Sequence, residues 1–128
     1  MSGEGERSGL IRVLAADDDP TVALMMGVVL APPTFSLHCV ADGDSAAQAL
    51  LAGDFDIVLL DVEMPGQSGL QLAAWLRAQR GGDFPILLLT GREDGEFLDA
   101  CKRLQVAVLG KPIDWKQLAE RVRALWSP

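Results

Sequence analysis

Five side chains suited to binding a cation and handling a phosphoryl group each stand where a short apolar run ends. Asp17 and Asp18, in the run Asp17-Asp18-Asp19, follow the segment from Ile11 to Ala16, and Asp61 follows Ile57-Val58-Leu59-Leu60. Thr90 follows Ile86-Leu87-Leu88-Leu89, and Lys111 follows the segment from Val106 to Gly110. Carboxylates drawn together at neutral pH repel one another strongly, and a divalent cation resolves that repulsion. Mg2+ takes carboxylates, carbonyls, waters and phosphate oxygens in octahedral array. Asp17, Asp18 and Asp61, with a backbone carbonyl from the loop after Asp61, therefore form a candidate Mg2+ site. A carboxylate at the floor of such a site can attack phosphorus and become an aspartyl phosphate. Phosphoryl transfer is otherwise a matter of positioning and charge neutralisation. The Lys111 ammonium and the Thr90 hydroxyl, with nearby N–H groups, would supply both.

Positions 17 to 111 meet only if the intervening elements bring them together. Short apolar runs with polar ends, separated by helix-like stretches, read as buried parallel strands. The pattern predicts strands over 11–16, 35–40, 56–61, 84–90 and 106–110, and helices near 20–31, 43–52, 69–80, 93–104 and 115–126. Asp19 before Pro20, Asp42, Ser68 with Gln71, and Asp114 with Gln117 are the start signals. Pro32-Pro33, Gly53 and Gly81-Gly82 are the stops. This alternation predicts an α/β fold, a doubly wound five-stranded parallel sheet with right-handed crossovers and five helices. In the flavodoxin-like strand order 2-1-3-4-5 the binding crevice lies beside strands 1 and 3, the two that end in the aspartates.

At 128 residues the chain is expected to be a flexible tail over 1–9 and one domain over 10–128. No apolar run approaches the ~18 residues that span a bilayer, and residues 1–9 lack the apolar core of a secretory signal. Cys39 and Cys101 have no Cys-x-x-Cys spacing and are expected to be buried apolar residues, in a cytoplasmic protein. The net charge is −7: residues 1–90 hold 12 acids and 4 bases, residues 91–128 hold 6 and 7. Nucleic-acid binding needs clustered Lys and Arg, so an acidic body argues against direct contact with nucleic acid.

With these residues in this order, the chain resembles the receiver domain of two-component response regulators over about 11–126. The matching motifs are Leu14-Ala-Ala-Asp-Asp-Asp-Pro20, Asp56-Ile-Val-Leu-Leu-Asp-Val-Glu-Met-Pro-Gly66 with Gly69 beyond it, Leu89-Thr90-Gly91, and Lys111-Pro112. The resemblance implies a phosphoprotein of phosphorelay signal transduction. Asp61 would accept a phosphoryl group from a histidine kinase or histidine phosphotransfer protein. Asp18, Asp61 and the Glu63 backbone carbonyl would bind Mg2+, with Asp17 assisting through water, and Thr90 and Lys111 would contact the phosphoryl oxygens. Such a domain is not an enzyme acting on a separate substrate; it promotes its own phosphorylation and dephosphorylation. Its partners would be a phosphodonor and a downstream effector protein or domain, with a homodimer as one arrangement, and no membrane. The Lys111–Pro112 peptide is typically cis in this family.

The chain departs from the family pattern at Val108. Receivers commonly carry Tyr or Phe three residues before the lysine, a ring that changes rotamer as the threonine moves toward the phosphoryl group. Valine has no ring, and its χ1 is stiff, so the usual coupling lacks its carrier. Gly91, where Ala is common, gives the loop after Thr90 extra freedom. Glu63 and Arg92, each two residues past a site residue, are expected to pair across the crevice mouth and tune the lifetime of the phosphorylated state. His38 is expected to be structural. The stripe Trp115/Leu118/Val122 is expected in the core, and Trp126 exposed where a partner packs. An alternative reading is a receiver-like interaction module acting without phosphorylation, which predicts loss of the acidic pair, acceptor or lysine. A haloacid-dehalogenase-type phosphatase would need Asp where Glu63 stands, and a nucleotide-binding enzyme would need a glycine-rich loop after the first strand.

Overall fold

The computed structural model of the protein describes residues 10–126; the tail expected over 1–9 lies outside them. Strand and helix alternate throughout: β1 (Ile11–Ala16), α1 (Pro20–Val29), β2 (Phe35–Val40), α2 (Gly43–Ala52), β3 (Ile57–Asp61), α3 (Gly69–Arg80), β4 (Ile86–Thr90), α4 (Gly95–Leu104), β5 (Ala107–Gly110) and α5 (Trp115–Leu125). The five strands are parallel and lie in the order β2-β1-β3-β4-β5, the flavodoxin-like order expected.

The central strands are apolar on both faces because helices cover both. Along β3, Ile57 and Leu59 face one core while Val58 and Leu60 face the other, following the two-residue period of a strand. The first core takes Met26 from α1, Leu30 just after it, and Leu118 and Val122 from α5. The second takes Ala46 and Leu50 from α2, Leu72, Ala73 and Leu76 from α3, and Phe97 and Cys101 from α4. The Trp115/Leu118/Val122 stripe is thus core, and Trp126 packs half-buried beside it rather than standing exposed.

Local signals set most element ends. Asp19, Asp42, Ser68, Asp94 and Asp114 each accept a backbone N–H at a helix start, and Ser68 and Gln71 complete a capping box. Gly81 and Gln105 end α3 and α4 with positive φ values of 83° and 57°. Several boundaries are tighter than predicted. The fourth helix, expected from 93, begins at Gly95, because the Asp94 side chain caps it by receiving the Phe97 N–H. The fourth strand starts at Ile86, past Pro85, and the first helix stops at Val29. Both the Pro32–Pro33 and Lys111–Pro112 peptides are cis, the second as expected.

A second burial expectation also fails. Cys101 is buried, but Cys39 is exposed, because β2 is an edge strand with one neighbour and a partly open face. His38, on the same strand, is also exposed, its ring 6.1 Å from that of Phe55.

Two arginines fasten the end of the sheet away from the candidate site. Arg12 pairs with Asp56, whose carboxylate also receives the Arg12 N–H at 2.8 Å. The Arg77 guanidinium donates to four carbonyls: Leu104 at 2.6 Å, Phe84 at 2.7 Å, and Gly81 and Gln105 each at 2.9 Å. It ties the end of α3 to the approach to β4 and the end of α4.

Candidate functional site

Register brings the predicted residues to one edge of the sheet. Ala16 of β1 lies beside Leu60 of β3, so Asp17 and Asp61 are the next step on neighbouring strands. Asp61 lies beside Leu89, and Thr90 beside Gly110, so Thr90 and Lys111 complete the row. Asp17, Asp61 and Thr90 are the only buried polar or charged residues among those described, at 4%, 2% and 0% exposure. Buried polar groups are costly unless satisfied, and these three lie at the same edge.

Two carboxylates converge on one ammonium. Lys111 Nζ lies 3.1 Å from Asp61 Oδ1 and 3.6 Å from Asp17 Oδ2. Asp61 Oδ1 also accepts the Glu63 N–H at 3.3 Å, and Asp17 Oδ1 accepts the Asp19 N–H at 2.9 Å, at the start of α1. Asp17 Oδ2 is fully buried with no hydrogen-bond partner. Asp18 is exposed at the mouth, yet a carboxylate oxygen from each of Asp17, Asp18 and Asp61 lies within 4.8 Å of the others. Three carboxylates against one ammonium leave a local charge of −2.

Burial pushes the Asp61 carboxyl above its ordinary value, partly offset by the hydrogen bond and charge of Lys111. Asp17 is raised by burial first, with the Asp61 and Asp18 charges adding to it and the Asp19 N–H and Lys111 opposing. For Lys111, burial alone would lower the pKa, but Asp61 and Asp17 together outweigh it and raise it. A buried carboxylate oxygen without a hydrogen-bond partner and a net negative cluster are the donor set a hard divalent cation takes.

Thr90 is held by backbone on both sides. Its carbonyl accepts the Lys111 N–H at 2.8 Å and its Oγ1 accepts the Arg92 N–H at 3.0 Å. Gly69 lets α3 begin directly beneath the site: a Cβ there would lie 2.5 Å from the Asp61 carbonyl oxygen. That contact aligns the loop carrying Glu63.

The expected Glu63–Arg92 pair does not form. Arg92 instead grips Asp94, with Nε to Oδ1 and Nη2 to Oδ2 both at 3.0 Å, and lies 4.7 Å from the centre of the Phe97 ring. Asp94, two residues on and already oriented as a helix cap, offers a fork that Glu63 on another loop does not. Sequence reasoning missed Asp94; its signal was a capping aspartate three residues before an apolar Phe97. Val108 is half-buried against the core under α4.

Comparison with known proteins agrees with this geometry. Residues 13–123 match the model of the response regulator receiver domain. The chain is 36% identical over 124 residues to the transcriptional regulatory protein TcrA of Mycobacterium tuberculosis, covering 94% of this chain and 47% of that protein. It is 36% identical over 116 residues to the DNA-binding response regulator MtrA of Mycolicibacterium smegmatis, covering 88% of this chain and 49% of the other. The chain thus spans about half the length of these relatives. Among solved structures, the chemotaxis response regulator CheY4 of Vibrio cholerae superposes with a TM-score of 0.82 at 26% identity, over 91% of this chain and 98% of that one. The response regulator TrrA of Thermotoga maritima, in complex with Mg(2+)-BeF, superposes with a TM-score of 0.78 at 28% identity, over 90% and 98%.

The fold and the acidic edge define an α/β module of the flavodoxin-like class with a candidate cation site at the ends of its strands. The chain belongs to the response regulator receiver domain family of two-component systems. No helix among the described residues is long and apolar enough to cross a membrane.

Proposed function

We propose that this receiver domain accepts a phosphoryl group on Asp61 from a histidine kinase or histidine phosphotransfer protein, and that the acyl phosphate switches its binding to an effector. The observation that carries the reading is the Asp61 carboxylate: it is 2% exposed, ends a fully buried strand, and shares its crevice with two further carboxylates and one ammonium. An oxygen of Asp61 attacks phosphorus, the donor's nitrogen–phosphorus bond breaks, and its electron pair returns to the imidazole. Lys111 steadies the attacking carboxylate and then a phosphoryl oxygen, while the Thr90 hydroxyl donates to another.

Asp18, Asp61 and the Glu63 carbonyl would hold Mg2+, with Asp17 acting through water; its buried oxygen, without a hydrogen-bond partner, supports that assignment. Bound there, the cation supplies positive charge to the transferring group and relieves carboxylate repulsion. The same arrangement supports self-catalysed dephosphorylation, because the groups that stabilise transfer onto Asp61 also stabilise attack by water.

Beside the crevice, α1 carries no charged residue and exposes Leu24 and Val28, at 70% and 64%. A cavity of about 310 Å³ lined by Asp19, Val22, Lys111, Pro112, Ile113 and Trp115 opens next to it. An apolar surface bordering the phosphoacceptor suits a helical phosphodonor. Incubation with acetyl phosphate and Mg2+ should add one phosphoryl mass, and Asp61→Asn should abolish the gain. Equal labelling of the variant would overturn the assignment of Asp61.

A further inference from the structure

The segment between Thr90 and α4 is fastened at both ends by one residue. The Arg92 backbone N–H donates to Thr90 Oγ1 at 3.0 Å, while its side chain makes two parallel 3.0 Å bonds to Asp94. Asp94 caps α4 by accepting the Phe97 N–H at 3.1 Å, and the Phe97 ring under the Arg92 guanidinium is buried in the core. Between Thr90 and Arg92 stands Gly91, whose missing Cβ would meet nothing within 4 Å. Gly91 adds no side-chain packing to the turn, while Arg92 contributes three hydrogen bonds to it.

A hydroxyl has one proton to donate and two lone pairs to accept. Receiving the Arg92 N–H on one lone pair directs the Thr90 proton away from Arg92. The hydroxyl is then pre-oriented as a donor. We infer that Arg92 is a positioning residue: clamped to Asp94 and Phe97, it aims the Thr90 hydroxyl and ties that hydroxyl mechanically to the first turn of α4. In this chain, where Val108 offers no ring to carry the change, the clamp links site to helix. The inference rests on the reading of Asp61 as phosphoacceptor. Any shift of Thr90 toward the phosphoryl group must displace the Arg92 amide, and with it the cap of α4.

The test uses 15N-labelled wild-type protein, Arg92→Gln and Asp94→Asn. The second variant keeps a capping side chain but loses the charged fork. Each is treated with acetyl phosphate and Mg2+, with mass and rate of labelling recorded, and separately with beryllofluoride and Mg2+ while amide resonances are followed. In wild type, beryllofluoride should move the amides of residues 90–92 and also those of 95–101. In both variants labelling should persist but slow about two- to fivefold, as suits an exposed pair. Their 95–101 amides should no longer respond, while those near Asp61 still do. A labelled wild type with variants matching it in rate and in the 95–101 response overturns the inference alone. An unlabelled wild type overturns the phosphoacceptor reading and this inference together.

Discussion

The Lys111 ammonium lies 3.1 Å from the Asp61 carboxylate although β4 separates the strands that carry them. The lysine reaches across the end of β4, over the Thr90 carbonyl that accepts its own N–H. One cation serving Asp61 and Asp17 leaves the cluster short of positive charge, and that shortage sets the behaviour expected of the protein.

Asp61→Asn should stabilise the metal-free fold. The Asp61 carboxyl is held above its ordinary value chiefly by burial, so its ionised form costs the folded state free energy at neutral pH. Removing that charge is expected to raise stability in EDTA, read by urea unfolding at pH 7. A less stable variant would mean that the Lys111 contact outweighs burial.

The pH dependence follows from the same sign. A carboxyl whose folded pKa is raised binds its proton more tightly when folded, so its destabilising effect sets in as pH rises through the window above 3.8. The stability gap between wild type and Asp61→Asn in EDTA should therefore be widest near neutral pH and close toward pH 4. The rise in Tm given by Mg2+ should fade over the same descent, because protons compete for Asp17 and Asp61. A Tm rise that persists undiminished at pH 4 would place the cation elsewhere.

Leu24→Asp and Val28→Asp separate donor docking from chemistry. Both side chains are mostly exposed on α1, so the fold should lose little. Phosphoryl transfer from a purified histidine phosphodonor is expected to fall about tenfold or more, as for loss of a central interface contact. Labelling by acetyl phosphate should be unchanged. Equal losses with both donors would remove α1 from the docking surface.

Arg77→Lys tests the opposite end of the sheet. A lysine ammonium cannot reproduce a planar fork that meets four carbonyls. Stability is expected to drop by about 2–3 kcal/mol, measured by urea unfolding. Labelling of Asp61 by acetyl phosphate should remain near the wild-type rate at temperatures where the variant is folded.

Much of this molecule is legible locally. Runs such as Ile57 to Leu60 can only be satisfied as strands covered on both faces, and Ser68 with Gln71 marks a helix start by its own hydrogen bonds. Cys39, a free cysteine without Cys-x-x-Cys spacing on a predicted strand, is expected to be buried and is exposed. Its exposure follows from β2 having a strand on one side only, a property of strand order rather than of residues nearby in sequence. Arg92 is expected to pair with Glu63 because the two carry opposite charges and each stands two residues past a site residue. The capping geometry of Asp94 decided otherwise.

The sequence by itself determined the alternation of elements and the identity of the residues at the strand ends. Those depend on apolar periodicity, caps and breakers, which act over a few residues. Only the tertiary structure decided which charges meet: Lys111 with Asp61 and Asp17, Arg92 with Asp94, and an Asp17 oxygen left without a hydrogen-bond partner. Ion pairs and desolvation vary over about an ångström, and that precision arises only when strands in register bring distant segments into one crevice.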